Sequence, residues 1–246
     1  MAEDVNYSVA DIRRFSDENF NEFYSYISKH RQKKADSYKL KKDRKLSILS
    51  SYQLEKLFSF MGVKEPYNYS VLPNGKPILL GDDISFSLTH SGNYAACAVS
   101  RKYDVGIDVE DVMLKKRRMD RLKKAAYKFF LEDEIKYIDF EMCDNEPIHN
   151  NEAMEHVIHN NEAVENAIHN NEAVEHVIHN NEAMEHIIRD KFFKIWTFKE
   201  AYMKAKGISL IDAMKKDIFS EGKDTLVQKH TSEAVLSIYK ILRSKS

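Results

Sequence analysis

Residues 84–111 read ISFSLTHSGNYAACAVSRKYDVGIDVED, and this stretch decides the fold class. Ile84 to Leu88 alternates in polarity and Tyr94 to Val99 is a compact apolar run, so both are predicted strands, joined by the turn Thr89–Asn93. Val105 to Val109 is a third predicted strand. Because helical patterns lie on both sides of these strands, the sequence predicts an α+β protein.

Helical spacing and turn residues organise the rest of the chain. The predicted helices span residues 17–30, 36–61, 117–137 and 191–206, the last closed by Gly207 as a C-cap. Further strand candidates are 225–229 and 234–241, and PNGKP at 73–77 is a predicted turn between two short extended segments. Two successive sets of helices and strands suggest two similar halves, residues 1–102 and 103–246.

The net charge of −1 hides a strong asymmetry. Residues 141–188 contain eleven Asp or Glu and no Lys or Arg, so the remaining chain has 38 basic and 28 acidic side chains. This cationic remainder favours an anionic ligand or partner. The densest basic stretch, Lys29 to Lys45, is equally well explained as a solvated helix face. Phosphate binding by this stretch becomes the better hypothesis only in combination with the acidic motifs elsewhere in the chain.

Composition also limits the class of protein. The two cysteines, Cys97 and Cys143, imply no disulfide framework. No apolar run approaches the length of a membrane span, and Met1 to Ala10 lacks the apolar core of a signal peptide. We therefore expect a cytoplasmic protein, with neither nucleic acid nor a membrane as its partner.

Residues 149–188 form a tandem repeat of four decapeptides, the first of which is HNNEAMEHVI. Ten residues miss whole helical turns by about 80°, so the apolar pairs would drift around a continuous helix. Each Asn-Asn pair favours a helix cap or break. The repeat is therefore predicted to be an inserted low-complexity excursion, helical in short pieces and mobile.

Seven of the ten histidines lie in this repeat, and pairs such as His156/His159 and His176/His179 could bind a transition metal from one helix face. Copying of the repeat is the preferred explanation for their number.

Two short acidic motifs carry the candidate chemistry. Asp108 and Glu110 alternate along a predicted strand, so both carboxylates point the same way. Glu200 and Lys204 lie four residues apart on one helix face, with Trp196 one turn earlier. Each pair alone is weak evidence, because such residues commonly decorate a surface. Together, three carboxylates and a lysine form a candidate site for a hard cation bound to phosphates.

The turn Thr89-His90-Ser91-Gly92 adds groups that can donate to phosphate oxygens. Taken alone, this signal is weak, because a His in a turn is usually an ordinary polar loop residue. Asn74-Gly75-Lys76 is likewise interpreted first as a hairpin turn and only second as a nucleotide contact.

Four motifs in this order resemble the 4′-phosphopantetheinyl transferases: NGKP at 74–77, FSLTHSG at 86–92, GIDVE at 106–110 and WTFKEAYMK at 196–204. The likeness is to the larger, pseudo-dimeric type that activates peptide and polyketide synthetases. It covers nearly the whole chain apart from the repeat, and FFLEDE at 129–134 is similar to the family's helix between the two acidic motifs.

The resemblance implies two α+β halves about a pseudo-twofold axis, with coenzyme A bound in the cleft between them. Because pseudo-dimeric relatives work as single chains, it also implies a monomer. It implies transfer of the phosphopantetheine arm to a serine of an apo acyl or peptidyl carrier protein, the activity of a holo-[acyl-carrier-protein] synthase. The residues that match the family's site are Asp108, Glu110 and Glu200 for Mg²⁺ (with Mn²⁺ as an alternative), Lys204 for the pyrophosphate, Thr89 and His90 for the 3′-phosphate, and Gly75, Lys76 and Pro77 beside the adenine. Alignment on Asp43 without gaps adds Arg31 and Lys34 as phosphate-binding cations.

Expected chemistry follows from these roles. Glu200 is expected to accept the serine proton, and Lys204 to stabilise or protonate the departing 3′,5′-ADP, beside the metal ligand Asp108. Two alternatives stay open: a catalytically lapsed relative that binds coenzyme A or a carrier protein, and a metal-binding interaction protein defined by its His-rich repeat.

Overall fold

The structure is a computed structural model that describes residues 4–113, 119–140, 163–220 and 225–243, with only the backbone described for 163–181. The helices are α1 (Asp17–Tyr26), α2 (Lys29–Asp36), α3 (Lys41–Phe60), α4 (Met119–Phe129), α5 (Glu132–Ile138), α6 (Ala163–Lys206) and α7 (Leu210–Met214). The strands are β1 (Asn6–Asp11), β2 (Tyr69–Val71), β3 (Pro77–Leu79), β4 (Ser85–Ser91), β5 (Tyr94–Ser100), β6 (Tyr103–Asp111), β7 (Leu226–His230) and β8 (Ala234–Leu242). This mixture of helices and antiparallel sheets confirms the α+β class.

The first sheet has the antiparallel order β1-β5-β4. Its central strand β5 is buried along most of its length, which its small apolar residues allow. Helix α3 packs on this sheet because its buried face carries Leu54 and Phe58, which contact Phe86 of β4 in one core cluster. The core therefore lies between one sheet face and one long helix.

The second sheet repeats this arrangement with the antiparallel order β6-β8-β7. Its last strand in the chain, β8, is again central, and helix α6 packs across β6 and β8. Phe198 and Tyr239 share the core between that helix and the sheet. The boundary at residues 102/103 and the pseudo-twofold axis stay predictions.

Strands β4 and β6 bring the two sheets together through a row of hydroxyl side chains, Ser85, Ser87, Thr89 and Ser91. The backbone N–H of Val105 donates to Ser85 Oγ at 3.1 Å, and that of Ile107 donates to Ser87 Oγ at 3.2 Å. Because alternate residues of a strand share one face, the pattern S-F-S-L-T-H-S presents all four hydroxyls to β6. This hydroxyl row sets the register between the two sheets.

Several predicted helices are divided in the structure. The segment 17–30 contains α1 and only the first two residues of α2, because the backbone angles of Ile27 and Ser28 between them are not helical. The segment 117–137 likewise divides into α4 and α5 at Leu131, which is extended and precedes a first turn of three acidic residues. Helix α3 begins at Lys41 rather than at residue 36.

The repeat differs most from its prediction. Residues 163–188 continue without interruption into the predicted helix 191–206, so that α6 is 44 residues long. Short helical pieces are therefore wrong for this part of the repeat, since Glu, Ala and Met favour helix and outweigh the modest cost of each Asn-Asn pair. Residues 149–162, with His156 and His159, lie outside the described residues, as do the side chains of His176 and His179.

Among the described side chains of α6, those of 182–187 are exposed or half-buried, and Ile188 is the first that is buried. This agrees with the drift of apolar residues that a period of ten imposes on a helix.

Two further features complete the fold. Cys97 is a buried free thiol in the core, whereas Cys143 lies outside the described residues. Across the described part of the chain, no helix combines the length and apolarity that a bilayer span requires.

Candidate functional site

A cavity of about 540 Å³ lies where β4, β6 and the last turns of α6 meet the N-terminal helices and the β2–β3 turn. Its volume is in the usual range for small-molecule sites. The cavity is lined by all eleven residues that the sequence singled out: Arg31, Lys34, Gly75, Lys76, Pro77, Thr89, His90, Asp108, Glu110, Glu200 and Lys204. Residues from five separate segments of the chain thus converge on one space.

Asp108 is the most constrained of the acidic residues. Its Oδ1 accepts hydrogen bonds from Thr89 Oγ1 at 2.8 Å and from Lys204 Nζ at 2.6 Å. Lys204 Nζ also donates to the carbonyl oxygen of Ile107 at 3.2 Å. By contrast, Asp108 Oδ2 is buried without a hydrogen-bond partner among the described residues. A buried carboxylate oxygen without a partner is costly, so this atom marks a place for a cation or a donor.

Glu200 faces the same cavity from α6. Burial raises the pKa of the Glu200 carboxyl, and the negative charge of Asp108 adds to this effect while Lys204 opposes it. The expected pair between Glu200 and Lys204 is replaced by the Lys204–Asp108 ion pair. The Glu200 carboxyl is thus close to two charged groups, and a carboxyl with a raised pKa is suited to exchanging protons.

Glu110 lies two residues beyond Asp108 on β6 and accepts a hydrogen bond from Ser91 Oγ. The hydroxyl row therefore contacts both acidic residues of this strand, Thr89 at Asp108 and Ser91 at Glu110.

The donor atoms around the cavity suit a divalent cation. Three carboxylates line one cavity, and oxygen donors are those that Mg²⁺ prefers. Among the described side chains, those of residues 4–113, 119–140, 182–220 and 225–243, no three His, Cys, Asp or Glu are arranged to hold an ion as they stand. The Lys204 ammonium lies at Asp108 Oδ1, where it supplies positive charge. The donor set fits the ion, with Asp108 Oδ2 as its open oxygen.

The wall of the cavity that α2 contributes carries cations. Arg31 is 9% exposed, and its Nε donates to Ser51 Oγ at 2.9 Å. Burial lowers the pKa of the Arg31 guanidinium. The Lys34 ammonium lies 5.4 Å from the centre of the Tyr38 ring, and His90 packs edge-on against that ring. These groups form a region suited to phosphate oxygens.

His90 is half-buried beside these cations. Burial lowers the pKa of the imidazole, Asp43 opposes the shift, and Lys204 and Lys34 add to it. A neutral imidazole at neutral pH can still donate one hydrogen bond to an anion.

The β2–β3 turn makes contacts that the sequence did not predict. Lys76 Nζ donates to the carbonyl oxygen of Ala205 at 3.0 Å, and Asn74 Nδ2 donates to that of Gly207 at 2.7 Å. The predicted turn is present, but the Lys76 ammonium contacts the end of α6. Its stem lines the cavity together with Gly75 and Pro77.

Sequence reasoning missed several lining residues: Tyr38, Ser47, Ser50, Met203 and Ile208. Ser47 and Ser50 lie one turn apart on the buried face of α3, where leucines would otherwise fill the space. Small hydroxyl residues at helical spacing within an apolar helix face are a signal that could have located this wall.

Close packing positions α6 against β6. An added Cβ at Gly106 would lie 1.9 Å from the carbonyl oxygen of Ala201 and 2.6 Å from the backbone nitrogen of Ala205. Only glycine allows this approach. It places the helix that carries Glu200 and Lys204 directly beside the strand that carries Asp108.

A buried ion pair supports the other side of α6. Lys199 and Glu134, both with fully buried side chains, lie 2.8 Å apart. Lys199 Nζ also donates to the carbonyl oxygens of Met214 and Lys216. Burial lowers the pKa of Lys199, and Glu134 opposes this shift. Trp196 packs on Phe192 and the neighbouring phenylalanines, so it belongs to the core.

Comparison with known proteins agrees with this geometry. A search of curated proteins gave no match. The family model described as the 4′-phosphopantetheinyl transferase superfamily matches residues 104–236, a range that begins in β6 and includes the whole of α6. Because this match covers more than half of the chain, the protein belongs to the 4′-phosphopantetheinyl transferase superfamily and is a transferase of the phosphopantetheinyl type.

Proposed function

We propose that this protein transfers the 4′-phosphopantetheine arm of coenzyme A to a serine of an apo acyl or peptidyl carrier protein and releases 3′,5′-ADP. We place it in the larger, pseudo-dimeric type, whose site lies between two halves of one chain. The cytoplasmic location and monomeric state stay predictions.

One observation supports the proposal: a single cavity is lined by carboxylates from β6 and α6 and by the cations Arg31 and Lys34 from α2. A substrate with phosphates at two places needs both kinds of wall. Arg31, Lys34 and His90 suit one phosphate directly. Asp108, Glu110 and Glu200 repel phosphate unless a divalent cation lies between them.

Asp108, Glu110 and Glu200 would hold Mg²⁺, for which Mn²⁺ is an alternative. When bound, the ion would neutralise the charge of the pyrophosphate and thereby lower the cost of attack by an oxygen nucleophile. Lys204, paired with Asp108, supplies a second positive charge at the same edge of the cavity.

The chain's own residues account for the proton transfers. Glu200 accepts the proton of the serine hydroxyl, whose oxygen forms a bond to the β-phosphorus of coenzyme A. The bond from that phosphorus to the oxygen bridging it to the α-phosphorus breaks, and its electron pair leaves with 3′,5′-ADP. Lys204 stabilises or protonates this leaving group. Burial raises the pKa of the Glu200 carboxyl, which makes its carboxylate a stronger base for this step.

The test is mass spectrometry of apo carrier proteins from fatty-acid, polyketide and peptide synthesis after incubation with the protein, coenzyme A and Mg²⁺. The expected result is a mass gain of one phosphopantetheine arm on the acceptor serine. A carrier whose acceptor serine is replaced by alanine should stay unmodified. Coenzyme A binding without modification of any carrier would instead identify a catalytically lapsed relative.

A further inference from the structure

The C-terminal end of α6 is held by residues from a distant part of the chain. The last carbonyl groups of a helix have no partners within it and need donors from elsewhere. Here Met203 accepts from the backbone N–H of Gly207 at 2.8 Å. Ala205 and Gly207 instead accept from side chains of the β2–β3 turn, more than 120 residues earlier in the chain.

The turn is built to deliver these donors. Asn74 Oδ1 accepts from the backbone N–H of Lys76 at 3.1 Å, so the amide that contacts α6 also fixes its own turn. Gly75 has φ +84°, a conformation that favours glycine. Lys76 is half-buried, and its positive charge at the C-terminal end of α6 is favoured by the helix dipole.

Gly207 also packs closely against the side chain of Asn74. Gly207 has φ +66°, and an added Cβ there would lie 2.4 Å from Asn74 Nδ2. Ala205 is therefore held on two sides, with its carbonyl oxygen bonded to Lys76 and its nitrogen beside Gly106 of β6.

We infer that Asn74 and Lys76 are positioning residues that clamp the end of α6 and thereby set Glu200 and Lys204 in register with Asp108. This inference rests on the proposed transferase function for its kinetic consequence. It assigns the Lys76 ammonium to the helix rather than to the phosphates of coenzyme A.

The first test is Lys76→Met in the full chain, which keeps the apolar stem and removes the ammonium. Small displacements of reacting groups are costly, so kcat should fall about ten- to a hundredfold. The KM for coenzyme A should stay within about twofold of wild type. Lys76→Arg should recover part of the kcat, and Lys64→Met, at an exposed lysine before the turn, should have no effect. A raised KM with unchanged kcat would show direct contact with coenzyme A and overturn the inference.

A second measurement does not depend on activity. Amide hydrogen exchange of the peptide covering 203–208 should speed up at least about threefold in Lys76→Met but not in Lys64→Met. If the wild type modifies no carrier protein, the proposed function fails, and this exchange result alone decides the clamp. Unchanged exchange would overturn it.

Asn74→Asp provides an independent variant on the exposed turn if Lys76→Met does not fold. It keeps the oxygen that accepts from Lys76 and replaces the donor to Gly207 with an acceptor. It should lower kcat and raise exchange in the same way, and wild-type behaviour in both assays would count against the clamp.

Discussion

The two walls of the cavity differ in the sign of the charge that would stabilise them. On the wall from β6 and α6, Asp108 Oδ2 is buried without a partner in the described part of the chain, and burial raises the pKa of Glu200. On the wall from α2 and α3, burial lowers the pKa of Arg31. One wall therefore favours added positive charge, and the other favours added negative charge.

The comparison separates the residues proposed to act in the reaction from those proposed to bind coenzyme A. The carboxylate wall lies inside the matched range 104–236, whereas Arg31, Lys34 and His90 lie outside it. We expect changes on the carboxylate wall to act mainly on kcat, and changes on the cationic wall to act mainly on the KM for coenzyme A.

The largest expected effect is that of Glu200→Gln. Loss of the base should lower kcat by about 10²- to 10⁴-fold, while coenzyme A binding measured by calorimetry changes little. Glu185→Gln, at an exposed position on the same helix, is the matched control. Equal carrier modification by Glu200→Gln and wild type would remove Glu200 from its proposed role.

Gly106→Ala tests whether the walls must stay close together. The added Cβ would push α6 from β6, so we expect a stability loss of about 1–3 kcal/mol and a fall in kcat of about a hundredfold. Gly81→Ala is the control, because its Cβ meets nothing within 4 Å although φ is +82°. Denaturant unfolding should show both variants to be destabilised, with kcat lowered only in Gly106→Ala. Full activity of Gly106→Ala would contradict the register argument.

Arg31→Met tests the cationic wall. Loss of a charged donor should raise the KM for coenzyme A by about ten- to a hundredfold at nearly constant kcat. Because the guanidinium is buried, the thermal midpoint without ligand should be unchanged or higher. Arg44→Met, which removes an exposed partner of Asp36, should leave the KM at its wild-type value. An unchanged KM in Arg31→Met would show that other residues bind the phosphates of coenzyme A.

The smallest effect is expected from shortening the repeat. Deleting 149–178 removes three decapeptides and six glutamates but keeps Ile188, which is fully buried. If the acidic repeat opposes an acidic carrier protein, the KM for the carrier should fall about two- to fivefold at low salt and not at high salt. Changing the same six glutamates to glutamine separates charge from length. An unchanged KM at low salt would exclude interference.

Local patterns predicted the parts of the site that depend on local geometry. The alternation around Asp108 and Glu110 placed both acids on one strand face, and the spacing of Glu200 and Lys204 placed them on one helix face. The same alternation in β4 produces the hydroxyl row, although its contact with β6 was not foreseen. Such periodicities are written directly in the sequence.

What could not be predicted depends on distant partners or on weak local signals. Strand β1 was missed because NYSVAD is short and partly exposed, and its pairing with β5 supplies its stability. The contact of Lys76 with Ala205 joins residues 129 positions apart. No local pattern distinguishes a lysine that binds phosphate from one that contacts a helix end.

The continuity of α6 has a consequence for how this chain can vary. The described part of the repeat, residues 163–188, forms the end of α6 remote from Lys204, so a whole decapeptide there spans about 15 Å of helix away from the cavity. Gain or loss of decapeptide copies would change the length and the charge of the repeat. The spacing between Glu200 and Asp108 would stay the same, so the repeat can change in length without altering the geometry of the site.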